Sequence, residues 1–281
     1  MEVLEAIIAS LGYAGGVVAD KFILSKYRVP VMRFIPLLFI WLAIITAVFL
    51  PRWGSFDLAT LENWRYIALF IAMIVTAVVW NILYYQGIQK EDLHEFELIM
   101  LLSPLVTIIF ATIFLKSERS WGIFIPGIIA ASALLATRYR RHHMAITKTA
   151  WRTIIAMALF SFESILIKEL LGAFSPVALY FVRTAVIAIV FTVLYRPKLL
   201  AMPRNAFALV ILSAIFGVVQ MVLKFYGFSN LGVVETTMIL VLGPFLVYIA
   251  SSAFFKEHYH KRDILAAAVV VLCILYVEFW R

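Results

Sequence analysis

The sequence predicts an all-α integral membrane protein with ten transmembrane helices, arranged as two inverted five-helix repeats. Composition is the first reason, because 64% of the 281 residues are hydrophobic, only 14% are charged, and the mean hydropathy is +1.01. A soluble domain keeps about a quarter of its residues charged. The other reasons are a series of apolar runs long enough to cross a bilayer and a set of motifs that occurs twice along the chain.

Ten apolar runs, separated by charged residues, prolines and glycines, are the expected membrane spans. A run of about twenty apolar residues matches the hydrocarbon core of a bilayer when it forms a helix. Helices are expected because the backbone must satisfy its own hydrogen bonds in lipid, and the runs are too long for barrel strands. The spans lie near residues 3–24, 31–50, 66–87, 95–115, 121–137, 153–171, 176–195, 205–228, 233–255 and 263–280.

A basic segment at residues 138–152 divides these spans into five and five, so the expected units are residues 1–137, this connecting loop, and residues 153–281. A shift of 140 residues aligns motifs of the two halves, and "IIA" at 7–9 also matches "IIA" at 154–156, which puts Lys21 on Lys168. Because each half has an odd number of helices, the halves lie oppositely in the membrane, as in secondary transporters. The aligned pairs are Gly87 with Gly227, Glu95 with Glu235, Ile99 with Ile239, Leu102 with Leu242, Pro104 with Pro244, Phe114 with Phe254 and Lys116 with Lys256.

Two of the repeated stretches carry a family resemblance. "LLSPLVTIIFATIFLKSE" at 101–118 and "LVLGPFLVYIASSAFFKE" at 240–257 each hold a proline within the span and a lysine and a glutamate at its exit. With "SPVALYFVR" at 175–183, they resemble the ten-helix, EamA-type branch of the drug/metabolite transporter superfamily. "VPVMR" at 29–33 departs from the pattern in the first half. The resemblance covers nearly the whole chain and implies a fold and a transport role without a substrate.

The basic residues predict an orientation that differs from the one the resemblance implies. Loops after odd-numbered spans hold fourteen lysines and arginines, whereas even-numbered loops and the C-terminal tail hold five. By the positive-inside rule both termini face outward, while members of this branch are usually drawn with cytoplasmic termini. The acidic start "MEVLEAIIAS" is unlike a signal peptide, so the first run is expected to be a retained span. We expect a multi-pass protein of the cell (plasma or inner) membrane, as a monomer or homodimer.

"LFSFESILIKELL", residues 159–171, places Glu163 near the middle of a span, where an ionised carboxylate is costly. Arg183 lies seven residues into the next, antiparallel span and Glu163 lies eight before the end of its own, so both have similar depth. One interpretation is a structural ion pair that joins two helices. The other is a carboxylate lining a cavity, which binds a substrate ammonium group or a coupling proton. "SFES" at 161–164 resembles the sixth-helix stretch of choline-importing relatives in this superfamily.

The third span contains "VVWNILYYQG", residues 78–87, in which aromatic rings lie beside an amide. Such a surface suits a cation or a zwitterion, although ordinary bundle packing is the alternative. The aligned stretch "VVQMVLKFYG" puts Gln220 and Lys224 at the positions of Trp80 and Tyr84. We expect a cavity between the halves, lined from spans one, three, six and eight, with contributions from four and nine. The candidate substrate-binding residues are Glu163, Trp80, Asn81, Tyr84, Tyr13, Gln220, Lys224 and Arg183.

Pro104 and Pro244 are expected to interrupt the helix hydrogen-bond ladder at equivalent points. These bends serve either as hinges for alternating access or as static kinks set by packing. Glu95 and Glu235 fall in the first turns of the fourth and ninth spans, where a carboxylate complements the helix dipole.

Other function classes find little support. Cys273 is the only cysteine, which excludes an internal disulfide, and the histidines at 142–143 and 258–260 lack the partners of a metal site. Neither G-x-S-x-G nor a P-loop occurs, so no enzyme, ATP coupling or cofactor is predicted. The net charge of +8 reflects basic helix ends rather than a nucleic-acid site. We expect a secondary transporter of a small polar metabolite, with amines or amino acids favoured; an intramembrane enzyme, a lipid flippase, a channel and a structural protein are the alternatives.

Overall fold

The computed structural model describes residues 2–55, 62–118, 139–140, 143–144, 147–197 and 202–255, together with isolated residues at 125–133 and 261–276. These residues are helical apart from connections and a two-residue antiparallel ladder of β1 (Tyr139–Arg140) with β2 (His143–Met144). Eight spans in this part of the chain are long and apolar enough to cross a membrane. Each consists of one helix or of two consecutive helices. Most of the spans expected at 121–137 and 263–280 lies outside the described residues.

The first half contains five helices before residue 118. Asn63 starts the third of them by accepting a hydrogen bond from the backbone N–H of Arg65 at 3.0 Å. The elements are α1 (Glu2–Lys21), a π-helical turn (Phe22–Lys26), α2 (Val31–Trp53), α3 (Trp64–Lys90), α4 (Leu93–Met100), α5 (Ser103–Phe114) and a 3-10 turn (Lys116–Glu118).

The second half begins five residues earlier than the expected sixth span. Thr147 accepts a hydrogen bond from the backbone N–H of Ala150 at 3.0 Å, and this cap lets Lys148 and Arg152 join the first turns. Long basic side chains reach polar surroundings from a helix end, so the helix extends a few residues beyond the apolar run expected near 153–171. The helices are α6 (Lys148–Leu170), α7 (Pro176–Tyr195), α8 (Arg204–Asn230), α9 (Val233–Leu240) and α10 (Leu242–Phe255).

The expected interruptions are present near both prolines. Between α4 and α5 the backbone N–H of Leu102 donates to the carbonyl of Ile99, and between α9 and α10 the N–H of Val241 donates to that of Met238. Both bonds span three residues, so the chain tightens locally before each proline. Proline has no N–H and crowds the carbonyl four residues earlier, which explains why the α-helical ladder stops here.

The helices of one half pack mainly on those of the other. α1 lies on α8, α3 on α6 and α2 on α7, which brings α1, α3, α6 and α8 around a common centre. Gly12 allows the first of these approaches, since a Cβ there would lie 3.0 Å from the carbonyl oxygen of Phe216 and 3.1 Å from the nitrogen of Gln220. Small residues permit such backbone contact between membrane helices.

Two buried or partly buried lysines cap helices within their own halves. Lys21 donates from Nζ to the carbonyl oxygen of Ile88, at 3.0 Å, and also to that of Glu91. Lys168 donates from Nζ to the carbonyl oxygen of Phe228 at 2.6 Å. These carbonyls lie at the C-terminal ends of α3 and α8, where they have no helical partner and where the dipole favours a cation.

Glu118 connects the halves at the start of α9. Its Oε2 accepts a hydrogen bond from the backbone N–H of Val234 at 2.9 Å, and its Oε1 lies 4.0 Å from Nζ of Lys168. Gly232 precedes this contact with φ +95°, and a Cβ there would lie 3.1 Å from Oε1 of Glu118. Glycine is therefore required for both the backbone conformation and the space.

Candidate functional site

A central cavity lies among α1, α2, α3, α6, α7 and α8, with about 650 Å³ of space not filled by atoms. We call this the first lobe. Its walls carry the rings of Tyr13, Trp80, Tyr84, Tyr85, Phe160 and Tyr180, and the polar groups of Asp20, Asn81, Arg183, Ser213 and Gln220. The first lobe is therefore an aromatic chamber with a few charged and amide groups, inside a bundle whose outer surface is apolar.

A second lobe of about 470 Å³ adjoins the first, and both are bordered by Tyr13, Met100, Phe160 and Gln220. Its other lining residues include Pro104, Lys224 and Pro244. The two helix interruptions thus border the same internal space. All the candidate substrate-binding residues except Glu163 line one or both lobes.

The ion pair between Glu163 and Arg183 is present. Arg183 donates from Nε to Oε1 of Glu163 at 2.7 Å and from Nη2 to Oε2 at 3.1 Å, and Trp80 donates from Nε1 to Oε2 at 2.7 Å. Only 1% of the glutamate side chain and 3% of the arginine side chain are exposed. Arg183 and Trp80 face the first lobe with Glu163 behind them, so the geometry favours the structural interpretation. A direct substrate contact at Glu163 stays a prediction.

The aromatic residues of α3 form a continuous edge-to-face cluster. The ring of Trp80 lies 5.6 Å from that of Tyr84 and 5.1 Å from that of Phe160, and Tyr84 lies 5.2 Å from Tyr85. Such packing fixes ring orientation. Asn81 lies beside them and uses its amide nitrogen within α3, donating to the carbonyl of Ala77 at 2.8 Å. The rings form a rigid wall along one side of the first lobe.

Lys224 brings a positive charge to the second lobe. Its Nζ donates to Oγ of Ser164 at 3.1 Å and lies 4.0 Å from the ring centroid of Phe160 and 5.1 Å from that of Phe228. No carboxylate of the described chain forms an ion pair with it. Ring faces and one hydroxyl thus hold this cation, which leaves it available to an anionic ligand group.

Asp20 is a buried cavity residue that the sequence reasoning missed. It lines the first lobe, is 5% exposed, and accepts a hydrogen bond from Oγ of Ser213. No lysine or arginine of the described chain forms an ion pair with it. An acidic residue inside the expected first span was an available signal, but adjacent Lys21 made this position resemble a helix end.

Glu97 is the second missed carboxylate. It lies on α4, is 1% exposed, and its two oxygens accept from the hydroxyl of Tyr13 at 3.3 and 3.1 Å. In sequence it stands two residues after Glu95, at the start of a span, where a carboxylate is expected to cap the helix. Its burial depends on α6 and α10, which pack on α4, and no local pattern reveals these contacts.

Apolar helices around an aromatic-lined cavity with a few polar groups define a multi-span membrane protein with an internal cavity. The model of the EamA-like transporter family matches residues 1–139 and 147–279, and the chain belongs to this family, which is part of the drug/metabolite transporter superfamily. Proteins of this family are membrane transporters and not enzymes.

Among 27 matching chains of solved structures, one titled "Crystal structure of protein" superposes with a TM-score of 0.68. The match covers 100% of this chain and 98% of the other at 14% sequence identity, a likeness that shows the fold alone. Comparison with curated proteins gives no match.

Proposed function

We propose that the protein is a secondary-active transporter that moves a small polar metabolite, with amines and amino acids favoured, through the central cavity. Asp20 is the observation that carries this proposal. It is a buried carboxylate on the wall of an aromatic chamber. In the described part of the chain, no lysine or arginine forms an ion pair with it. A substrate ammonium group would neutralise it, and the surrounding ring faces attract cations.

Lys224 extends the substrate class from amines to amino acids. It lies in the second lobe, across Tyr13 and Gln220 from the chamber that contains Asp20. An amino acid whose two charged groups are far apart would direct its ammonium group towards the carboxylate and its own carboxylate towards the lysine, because Ser213, which contacts Asp20, and Lys224 are eleven residues, about 16 Å, apart on α8. An amine would use the first lobe alone, so the two substrate classes differ in their need for Lys224.

In this proposal ten transmembrane spans form two inverted five-helix units, in which α4 with α5 and α9 with α10 count as one span each. Lys21 and Lys168 support it, because each caps the third helix of its own half and their acceptors, Ile88 and Phe228, are 140 residues apart. The glycine pair gives further support: a Cβ at Gly87 would lie 2.8 Å from Phe96, and one at Gly227 2.5 Å from Thr236. Phe96 and Thr236 are also related by a shift of 140 residues. The family match likewise divides at the connecting loop.

Alternating access then requires the cavity to open to each side in turn, and the interruptions near Pro104 and Pro244 are the proposed hinges. Both prolines border the second lobe, one from each half. A helix segment beside a proline changes its angle with little loss of hydrogen bonding, because the ladder is already open there. Coupling to a proton is part of the proposal, and the protein acts in the plasma or inner membrane as a monomer or homodimer.

A lipid flippase would need an opening from the cavity to the bilayer. A lateral groove bordered by Trp53, Val222 and Tyr226 lies on the outside of the bundle. It shares none of its described lining residues with either lobe. This separation favours a small soluble substrate over a lipid head group.

A thermal-shift screen of the purified protein against amines, amino acids and sugar phosphates tests the proposal. A ligand that binds the folded state stabilises it by about 2.7 kcal/mol at a hundred times its Kd. We expect stabilisation by an amine or amino acid in the wild type and in Asp92→Asn, which makes the same change at an exposed position. Asp20→Asn should lose the response. Stabilisation by sugar phosphates alone, or an unchanged response in Asp20→Asn, would contradict the proposal.

A further inference from the structure

Glu97 is linked to the central cavity by hydrogen bonds from a single hydroxyl group. Its carboxylate lines neither lobe, whereas Tyr13, whose hydroxyl lies 3.1 Å from Oε2 of Glu97, lines both. The glutamate side chain is 1% exposed. A substrate in either lobe therefore contacts the phenol and not the carboxylate.

No cation compensates Glu97 in the described part of the chain. Tyr13 on α1 and Tyr84 on α3 are the ionisable groups that face it from neighbouring helices. No lysine, arginine or histidine in the described part of the chain forms an ion pair with Glu97. The nearest charged or titratable residues before it on α4 are His94 and Glu95.

The other helices packed on α4 also leave the carboxylate uncompensated. α10 contains no charged residue. The charged groups of α6 are engaged elsewhere: Arg152 with Gln86, Glu163 with Arg183, Lys168 with the carbonyl of Phe228, and Glu169 with Arg65, while Lys148 is exposed at its start. Both oxygens of Glu97 thus depend on one neutral phenol.

An ionised carboxylate in such a setting is unfavourable, and a proton is the one cation small enough to reach it by way of a hydroxyl group. We propose that Glu97 is a reversible proton-binding site. The Tyr13 hydroxyl then faces the cavity differently when Glu97 is protonated and when it is ionised. This inference rests on the proposed transport function for its role, but proton binding at Glu97 is measurable without any substrate.

The hydroxyl of Tyr13 gives the proton a physical effect on the substrate. When Glu97 is ionised, Tyr13 donates its hydrogen to the carboxylate and presents an oxygen lone pair to the cavity. When Glu97 is protonated, its own O–H donates to the tyrosine oxygen, and the tyrosine hydrogen is free to point into the cavity. A substrate cation prefers the first arrangement, because the Tyr13 oxygen then offers it a lone pair and ionised Glu97 adds a negative charge. Cation binding therefore releases the proton from Glu97 through Tyr13 to water, and the two ions exchange.

Infrared difference spectroscopy of the purified protein in lipid nanodiscs, recorded across pH, tests the site directly. We expect the C=O stretch of a protonated carboxyl group to disappear as pH rises in the wild type. Glu97→Gln should remove this band, whereas Glu95→Gln, the control on the same helix, should keep it. Tyr13→Phe should shift it to higher wavenumber, because an unbonded carboxyl group absorbs there. A Glu97 band that does not respond to pH, or no band that depends on Glu97, would overturn the proposal. Glu97→Asp serves if the glutamine variant does not fold.

Tetramethylammonium tests the exchange, because this permanently charged ion has no proton of its own to release. In weakly buffered solution with a pH dye, we expect proton release on binding in the wild type. Glu97→Gln should bind the ion more weakly, because glutamine resembles the protonated form, and should release no proton. Binding without proton release in the wild type would refute the exchange. If the ion does not bind the wild type, the cation chamber around Asp20 fails as proposed, while the infrared result still decides whether Glu97 takes up a proton.

Discussion

Arg183 and Glu163 form a two-bond ion pair in the interior of the bundle, with nitrogen–oxygen distances of 2.7 and 3.1 Å. The pair joins α7 to α6, and Trp80 extends it to α3 with a further hydrogen bond of 2.7 Å. Three helices are thereby fixed at one level by a single carboxylate. Both carboxylate oxygens accept hydrogen bonds and both side chains are buried, so neither charge is left exposed to lipid.

Glu163→Gln should destabilise the protein, because it leaves the buried arginine without a counter-charge. Loss of one partner of a buried pair typically costs about 3–5 kcal/mol, so the free energy of unfolding in SDS should fall by this order. Adding Arg183→Leu should restore part of the loss. Glu169→Gln is the control: its partner Arg65 is 68% exposed, and exposed pairs contribute about 0–1 kcal/mol.

A Glu163→Gln protein that is stable but inactive would instead indicate a role in substrate or proton binding. A stable variant with normal transport would leave this carboxylate with neither role. The double variant separates lost charge balance from lost activity.

Lys224→Met should distinguish amino acids from amines. Methionine keeps much of the stem of the side chain but removes the charge from the second lobe. In a thermal-shift assay, stabilisation by amino acids should be lost and stabilisation by the corresponding decarboxylated amines kept. The unliganded protein should not lose stability, since the described lysine has no carboxylate partner to leave unpaired. Equal loss for both ligand classes would argue against a carboxylate-binding role.

Gly12→Ala should separate α1 from α8. The added methyl group would meet backbone atoms of Phe216 and Gln220 at 3.0 and 3.1 Å, and a backbone cannot move aside as a side chain can. Overpacking of this kind costs about 1–3 kcal/mol, measurable by SDS unfolding. Gly16→Ala is the matched control on the same helix, because its nearest atom, Cβ of Phe216, would lie at an ordinary 3.7 Å. Equal stability of the two variants would contradict this account of the helix contact.

The C-terminus should be reachable from outside intact cells. The prediction follows from the fourteen basic residues in one set of loops and five in the other set with the tail. A C-terminal tag would be labelled with an impermeant reagent before and after permeabilisation, with a cytoplasmic marker protein as the control. Labelling that requires permeabilisation would favour the cytoplasmic termini usually drawn for the family.

The sequence predicts how deep a residue lies in the membrane better than it predicts which neighbouring helix its side chain faces. Glu163 and Arg183 could be paired by counting residues from the ends of neighbouring antiparallel spans, because rise per residue is constant. The interruptions near Pro104 and Pro244 follow from the missing N–H. The bond between Tyr13 and Glu97 joins residues 84 apart and depends on how α1 and α4 are rotated against each other.

Asp20 illustrates the same limit. Hydrophobic patterning is weak on helices that are apolar all round, so nothing local indicates which face meets the cavity. The bond from Ser213, 193 residues away, and the packing of α1 on α8 determine that the carboxylate faces inward.

The hydrogen bond from Val234 to Glu118 has a kinetic consequence under the proposed alternating access. It ties the 3-10 turn after α5 to the first turn of α9, so movement of one half away from the other at this point must break it. Hydrogen bonds to charged groups contribute about 1.5–3 kcal/mol, and about 1.4 kcal/mol corresponds to a tenfold change in rate. Glu118 lines neither lobe. A substitution at this residue would therefore change the rate of transport without touching the substrate, so that rate and substrate selectivity can change independently.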